Sequence, residues 1–439
     1  MKQRITQLAD ALTAKTVERR RDLHRHAEAA WTEFRTASIV ADSLSALGYE
    51  VHTGAEVVAA EGMMGVPSAA ELEKHAKRAL AQGANPAWVE KMAGGKTGVV
   101  GVLRTGLPGP TVALRFDIDA NDVLEAKEET HRPFRDGFAS VNDGAMHACG
   151  HDGHTSIGLG VAEVLASLKD ELCGTIKLIF QPAEEGVRGA KAMVMAGVVD
   201  DVDMLLGMHL GFVLRRSGTV CCQTSGFLAT TKIDAVFTGV PAHAGGAPET
   251  GRNALLAAAT AALNLHAISR HSAGASRINV GVLNAGSGRN VVPANAVLKI
   301  ETRGTTSAIN EYVYQEALRI INAAAAMYGV KVEITEMGGA AGCDSDALLA
   351  ERLRKVVADA GLFEEQVAQA DLGGSEDCTY FMERVQQRGG LAAYMVIGSE
   401  IAAGHHDSRF DFDESVMPKA IATIAAATVD LLKNPVTRS

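Results

Sequence analysis

The chain has no run approaching the roughly 20 consecutive apolar residues that would cross a bilayer. Residues 1–25 mix charges with short apolar stretches, where a secretion signal would carry a continuous apolar core. Cysteine is sparse. Six residues, at 149, 173, 221, 222, 343 and 378, are spread over 439 positions, far from the density of a disulfide-stapled secreted domain. Basic residues are outnumbered, 42 Lys plus Arg against 52 Asp plus Glu, and the net charge of −10 disfavours general attraction to nucleic acid or to an anionic membrane. An anionic substrate stays open, because a single local arginine outweighs the global field. Internal repeats and low-complexity tracts are missing too. These absences leave a soluble protein of the reducing cytoplasm as the expectation, in which a chemically special cysteine is a ligand or a nucleophile.

What is present supports a large core in more than one domain: 47% of residues are hydrophobic and only 21% charged, in a chain well beyond the usual 150 or so residues per domain. Phe34, Ala37, Val40, Leu44 and Leu47 recur at helical spacing until Gly48. Short apolar runs at 97–103, 111–116, 175–180, 204–208 and 392–397 read as strands. Ile157, Val161, Val164, Leu165 and Leu168 mark a helix among them, and another follows Pro418. That alternation predicts an α/β fold, a mostly parallel sheet covered by helices.

Residues 228–336 follow a different pattern. A strand at 231–237, an alanine-rich helix at 253–268, strands at 278–283 and 292–302, a helix at 309–327 and a strand at 330–334 spell β-α-β-β-α-β. The predicted organisation is a catalytic domain built from 1–227 and 337–439, interrupted by an inserted α+β domain at 228–336. Residues 57–94 form a second, helical insertion (71–82 and 88–92, ending at Gly94-Gly95), which reads as a surface elaboration.

The richest chemistry lies in Met146-His147-Ala148-Cys149-Gly150-His151-Asp152-Gly153-His154. Cys149 and His151, two apart in an extended loop, can turn to one side and share a metal. Asp152 either orients the site or caps the following helix. Any one of these residues alone reads as part of a helix start; the set does not. Glu184 and Glu185 leave the strand at 177–180, and adjacent carboxylates there point in different directions, which suits one ligand and one base. His209 ends another apolar strand on the same rim, where open α/β sheets place their crevice. His405 and His406 follow the strand at 392–397. Cysteine, histidine and glutamate donors from four loops exceed what one tetrahedral site with an open position needs, so two metals are the economical reading.

Together with Pro182-Ala183-Glu184-Glu185-Gly186, Met208-His209 and Pro241-Ala242-His243-Ala244-Gly245, these residues resemble the M20 metallopeptidases, more closely their amidohydrolase branch. Segments 132–140, 286–293 and 404–406, and the 57–94 insertion, resemble the aminobenzoyl-glutamate-cleaving subgroup. The resemblance implies Cys149, His151, Glu185, His209 and His406 as metal ligands, with His405 the alternative to His406, and Glu184 as general base. It implies that Asp119 orients a ligand, that the insert pairs subunits and sends His243 into a partner's site, and that Asn290 and Arg303 hold the substrate's carboxylate or carbonyl. Asp117 is not expected to be a ligand.

The expected reaction follows. Glu184 takes a proton from the attacking water and passes it to the leaving amine, at a centre of two divalent ions, Mn2+ or Zn2+. The resemblance implies p-aminobenzoyl-glutamate as substrate, in a homodimer or in a heterodimer with a related second subunit. The rivals are a hydrolase of hippurate-like N-acyl amino acids, a cysteine-nucleophile hydrolase using Cys149 with His151, and a non-catalytic subunit that holds metal for stability. One intervening residue leaves poor room for an in-line thiolate–imidazole pair, and a structural metal needs no spare base.

Overall fold

The computed structural model describes residues 1–438. Its principal strands are β1 Glu50–Thr53, β2 Val99–Arg104, β3 Thr111–Asp117, β4 Thr175–Gln181, β5 Met204–Leu210, β6 Thr219–Cys221, β7 Ala229–Thr238, β8 Ser276–Ala285, β9 Asn295–Gly304, β10 Lys331–Ala340, β11 Glu365–Val367 and β12 Leu391–Ile397. The chain divides into two compact units. The first holds Met1–Ser225, Asp344–Leu372 and Asp377–Ser439, and the second Gly226–Cys343 with Gly373–Glu376.

The first unit is built on an eight-stranded sheet in the order β1-β2-β4-β3-β5-β12-β6-β11. Its centre, β4-β3-β5-β12, is parallel. Antiparallel pairings are confined to β1–β2, β2–β4 and β12–β6. Every residue of β5 and β12 is buried, which is why both read as unbroken apolar runs and not as alternating ones. Helices His151–Ser167 and Val416–Lys433 pack on β3 and on each other. Gly158 and Gly160 allow the close approach: a Cβ at either would meet Phe116 or Ile421 at under 3 Å.

The 57–94 segment is more than a surface elaboration. Val57, Val58, Met64, Leu72, Ala79, Ala84, Val89 and Met92 are buried. Its helix Ala69–Ala81 starts at a capping box between Ser68 and Glu71. Arg78 of that helix reaches the buried carboxylate of Glu28, and the Ala59 amide donates to the Ala192 carbonyl. The segment resembles a surface insertion in sequence because the partners of its apolar positions lie far away in the chain.

The second unit has the order β7-helix-β8-β9-helix-β10, folded as an antiparallel sheet β10-β7-β9-β8. Ile233, Ala235 and Phe237 alternate inward from β7 onto helices Ala254–Leu265 and Ser307–Tyr328. β10 runs through Gly338 and Gly339 to Ala340, past the point where the apolar pattern stops at Ile334, with a register shift between Glu336 and Gly338. Glycines that look like a strand end here accompany an irregularity inside one. Among the described residues no helix is long and apolar enough to cross a membrane.

Candidate active site

The ends of β3, β4 and β5 carry Asp117, Gln181 and His209-Leu210, and the helix starting at His151 lies beside them. Cys149 and His151 are not in an extended loop. Gly150 takes a left-handed φ of 88° as the residue before the helix, and His151 is the first helical residue. A tight glycine turn, and not strand alternation, therefore sets where the two side chains lie.

Hydrogen bonds fix the imidazoles. His151 Nδ1 lies 2.9 Å from the Asp119 carbonyl, so it donates, and Nε2 is left buried without a hydrogen-bond partner. His209 Nδ1 donates to the Leu210 carbonyl at 2.8 Å, leaving Nε2 3.5 Å from the Cys149 sulfur. His154 is committed differently. Its Nε2 accepts from the Leu210 amide at 3.0 Å and its Nδ1 donates to Asp117 at 2.6 Å, so no lone pair remains for an ion. Among the described residues, five sets of side chains place donor atoms within 4.8 Å of one another, and three of them centre on the sequence candidates: Cys149, His151 and His209; Cys149, Glu185 and His406; and His151, Glu184 and Glu185.

Glu184 and Glu185 sit in a turn with unusual backbone. Ala183 and Val187 have φ of 53° and 59° without being glycine. The Asp119 carboxylate accepts from the amides of both Glu184 (3.0 Å) and Glu185 (2.9 Å), while its own carbonyl takes the His151 proton. One aspartate thus orients the imidazole and the acidic turn together. Glu184 Oε2 and Glu185 Oε1 are each 3.9 Å from His151 Nε2. His406, at a φ of 65°, brings Nε2 to 3.4 Å from Glu185, and its amide donates to the Ala148 carbonyl. His405 instead packs its ring against His209, Phe212 and Phe410.

Electrostatics divide these groups. Burial would depress His151, yet Asp117 and Asp119 push it up to about 10. Burial, reinforced by neighbouring His154, holds His209 well below the usual imidazole range. Glu185 is buried too, but His406 and His151 keep it below the ordinary carboxylate value.

Residues 113–430 match peptidase family M20/M25/M40. The chain belongs to peptidase family M20. It is 55% identical over 412 residues, 94% of each chain, to an indole-3-acetyl-aspartic acid hydrolase of Enterobacter agglomerans. It is 51% identical to one of the subunits of p-aminobenzoyl-glutamate hydrolase from Escherichia coli K12, over 97% of this chain and 98% of that one. The crystal structure of an aminobenzoyl-glutamate utilization protein from Klebsiella pneumoniae superposes with a TM-score of 0.84 at 46% identity, covering 98% of both chains. This M20 chain is a metal-dependent amide hydrolase.

The donors present fit divalent ions. Buried His151 Nε2 and Glu185 Oε1 have no hydrogen-bond partner, a costly arrangement unless a cation meets them. In the second unit of this M20 chain, exposed His243 accepts at Nδ1 from the amides of Gly245 (3.2 Å) and Gly246 (3.0 Å), so its proton sits on Nε2. Asn290 is close by, its carbonyl accepting from the Ala244 amide. Arg303 is not close to them. It lies at the other end of β9, eight strand positions from Asn295 or roughly 27 Å, and is paired with Glu301.

Sequence reasoning missed a buried ionic cluster in the first unit. Arg20, fully buried, meets Asp152, Asp411 and Glu414, and His24 bridges Asp152 and Glu125. It also missed Glu28 and Glu33, both fully buried. The available signal was two carboxylates five apart in an otherwise apolar stretch, Ala27-Glu28-Ala29-Ala30-Trp31-Thr32-Glu33-Phe34.

Proposed function

We propose that the chain hydrolyses p-aminobenzoyl-glutamate to p-aminobenzoate and glutamate, the salvage of a folate breakdown product. The observation that carries the reading is the sharing of Cys149 between two donor sets, with Glu184 beside them. Cys149, His151, Glu185, His209 and His406 would hold two divalent ions. The thiolate favours zinc on softness, whereas the subgroup resemblance favours manganese. When bound, the ions supply polarisation of the amide carbonyl and of the attacking water. Glu184 takes the proton of that water and delivers it to the leaving nitrogen. Asp119 holds the backbone from which Glu184 projects.

In this reading His243 donates its Nε2 proton to the developing oxyanion in the site of a partner subunit, and Asn290 and Arg303 contact the substrate's carbonyl or carboxylate. The tautomer imposed by Gly245 and Gly246 supports the first role. Arg303 would have to exchange Glu301 for substrate. The partner is a second copy or a related second subunit, since the Escherichia coli relative is one subunit of its enzyme. A reducing cytoplasm suits a thiolate ligand at Cys149. The identity to an indole-3-acetyl-aspartic acid hydrolase favours a second reading, an aromatic acyl group on aspartate.

Metal analysis of purified protein alongside a hydrolysis screen decides between them. We expect about two metals per chain and the highest kcat/KM on p-aminobenzoyl-glutamate. A preference for indole-3-acetyl-aspartate or hippurate moves the assignment to that substrate. Full activity after exhaustive chelation overturns the metal mechanism in favour of the Cys149 nucleophile.

A further inference from the structure

The turn that carries Glu184 is held by three buried carboxylates, two of which, Asp377 and Glu33, have no part in the mechanism above. Asp119 takes the amides of Glu184 and Glu185, and Asp377 takes those of Gly189 and Ala190 (3.0 and 2.9 Å). The third is Glu33. Its Oε1 accepts from the Ala183 amide at 2.8 Å and its Oε2 lies 2.6 Å from Thr97 Oγ1. Ala183 is fully buried and has a left-handed φ of 53°, which residues other than glycine disfavour. Without Glu33 its amide would be buried and unpaired, and the chain could leave the left-handed region to satisfy it.

We propose that Glu33 is a positioning residue that fixes the Glu184 carboxylate by holding the left-handed peptide at Ala183. This rests on the assignment of Glu184 as the base. Glu33 need not be charged to act. Thr97 Oγ1 donates to Oε2, and burial, reinforced by nearby Asp119, pushes Glu33 up to about 8. In its acid form one oxygen still accepts from Ala183, while the hydroxyl can face Thr97, whose own proton then turns to the Gly95 carbonyl. A glutamine reproduces that pattern, with its carbonyl on Ala183 and its amide on Thr97. A methionine keeps the volume and removes the acceptor.

The test compares Glu33→Gln and Glu33→Met in metal-loaded enzyme, with p-aminobenzoyl-glutamate or whichever substrate the screen selects. Glu33→Met should lower kcat about 10–100-fold at nearly unchanged KM and full metal content. Glu33→Gln should keep the wild-type kcat. In a Glu184→Gln background, Glu33→Met should lower the residual rate no further, because it acts through Glu184. Wild-type kcat in Glu33→Met overturns the inference, and so does a loss that persists in full in that background. If Glu33→Met does not fold, Glu33→Gln decides, and a fall in its kcat refutes the proposed hydrogen-bond pattern. Glu184→Gln alone separates the two levels: substantial turnover there removes the underlying reading, whatever Glu33 does.

Discussion

His151 and His406 are assigned to one centre, yet the protein holds them in opposite ways. His151 is 1% exposed, opens a helix, and has its Nδ1 proton committed to Asp119. The side chain of His406 is 57% exposed, on a loop with a left-handed backbone, and that loop is tied back through its amide to Ala148. The first donor is oriented by its own hydrogen bonds before any ion arrives; the second is placed by the loop that carries it. One half of the site is therefore part of the core, and the other half is a loop fastened onto it by the Arg20 and Arg132 contacts to Asp411.

The largest expected effect falls on the acidic turn beside the core half. Glu184→Gln should lower turnover about 10²–10⁴-fold with both ions retained, since it removes the proton carrier and no ligand. Metal lost along with activity would mean that Glu184 and Glu185 have exchanged roles. His243→Ala should also lower turnover at full metal content. Mixing it with Glu184→Gln protein under verified subunit exchange should restore part of the rate, because one hybrid site then has both groups. No recovery would place His243 outside the partner's chemistry. For a heteromeric enzyme the second subunit must be present in the same test.

The two histidines themselves sharpen the contrast. Both His151→Ala and His406→Ala should weaken metal binding. In the metal-free protein, His151→Ala should cost on the order of 3 kcal/mol, because it strips the partner from buried carboxylates. His406→Ala should cost less, about 1 kcal/mol or under, because it removes an exposed partner of buried Glu185 while His151 remains beside that carboxylate. Equal losses in denaturant unfolding of the two apo variants would erase the distinction between core and loop.

Acid should loosen the fastening with a smaller effect. Glu125 is held at about 2 against an ordinary 4.5: burial opposes ionisation, and His131 and His24 overcome it. A depressed carboxylate stabilises the fold above its unfolded value, and that contribution is lost as pH falls from 4.5 through 2. His24, raised above 6.5 by Asp152 and Glu125 against its burial, acts in the opposite sense, stabilising at low pH and ceasing to as pH rises through its raised value. Wild-type protein should therefore lose on the order of 3 kcal/mol more than Glu125→Gln between pH 5 and 2. Parallel stability curves for the two proteins would show that Glu125 carries none of it.

The strands and helices were legible wherever burial was continuous or evenly periodic, as in β5, β12 and the helix Ser307–Tyr328. The proposed donors Cys149, His151, Glu185, His209 and His406 stood out in the sequence because they lie at or beside the ends of strands and helices and differ sharply from their apolar surroundings. Glu33, Arg20 and His24 were not, because their partners stand 150, 391 and 128 residues away at Ala183, Asp411 and Asp152.

By itself the sequence determined the α/β class, the β-α-β-β-α-β insert and the set of residue types able to bind metal, because periodicity, turn residues and donor chemistry are local properties. Only the tertiary structure decided that Nδ1 of His151 and of His209 is committed to a backbone carbonyl, that His154 is spent on Asp117 and Leu210, and that residues 57–94 contribute to the core. Hydrogen bonds and burial depend on what long-range folding brings alongside, and no spacing along the chain encodes that.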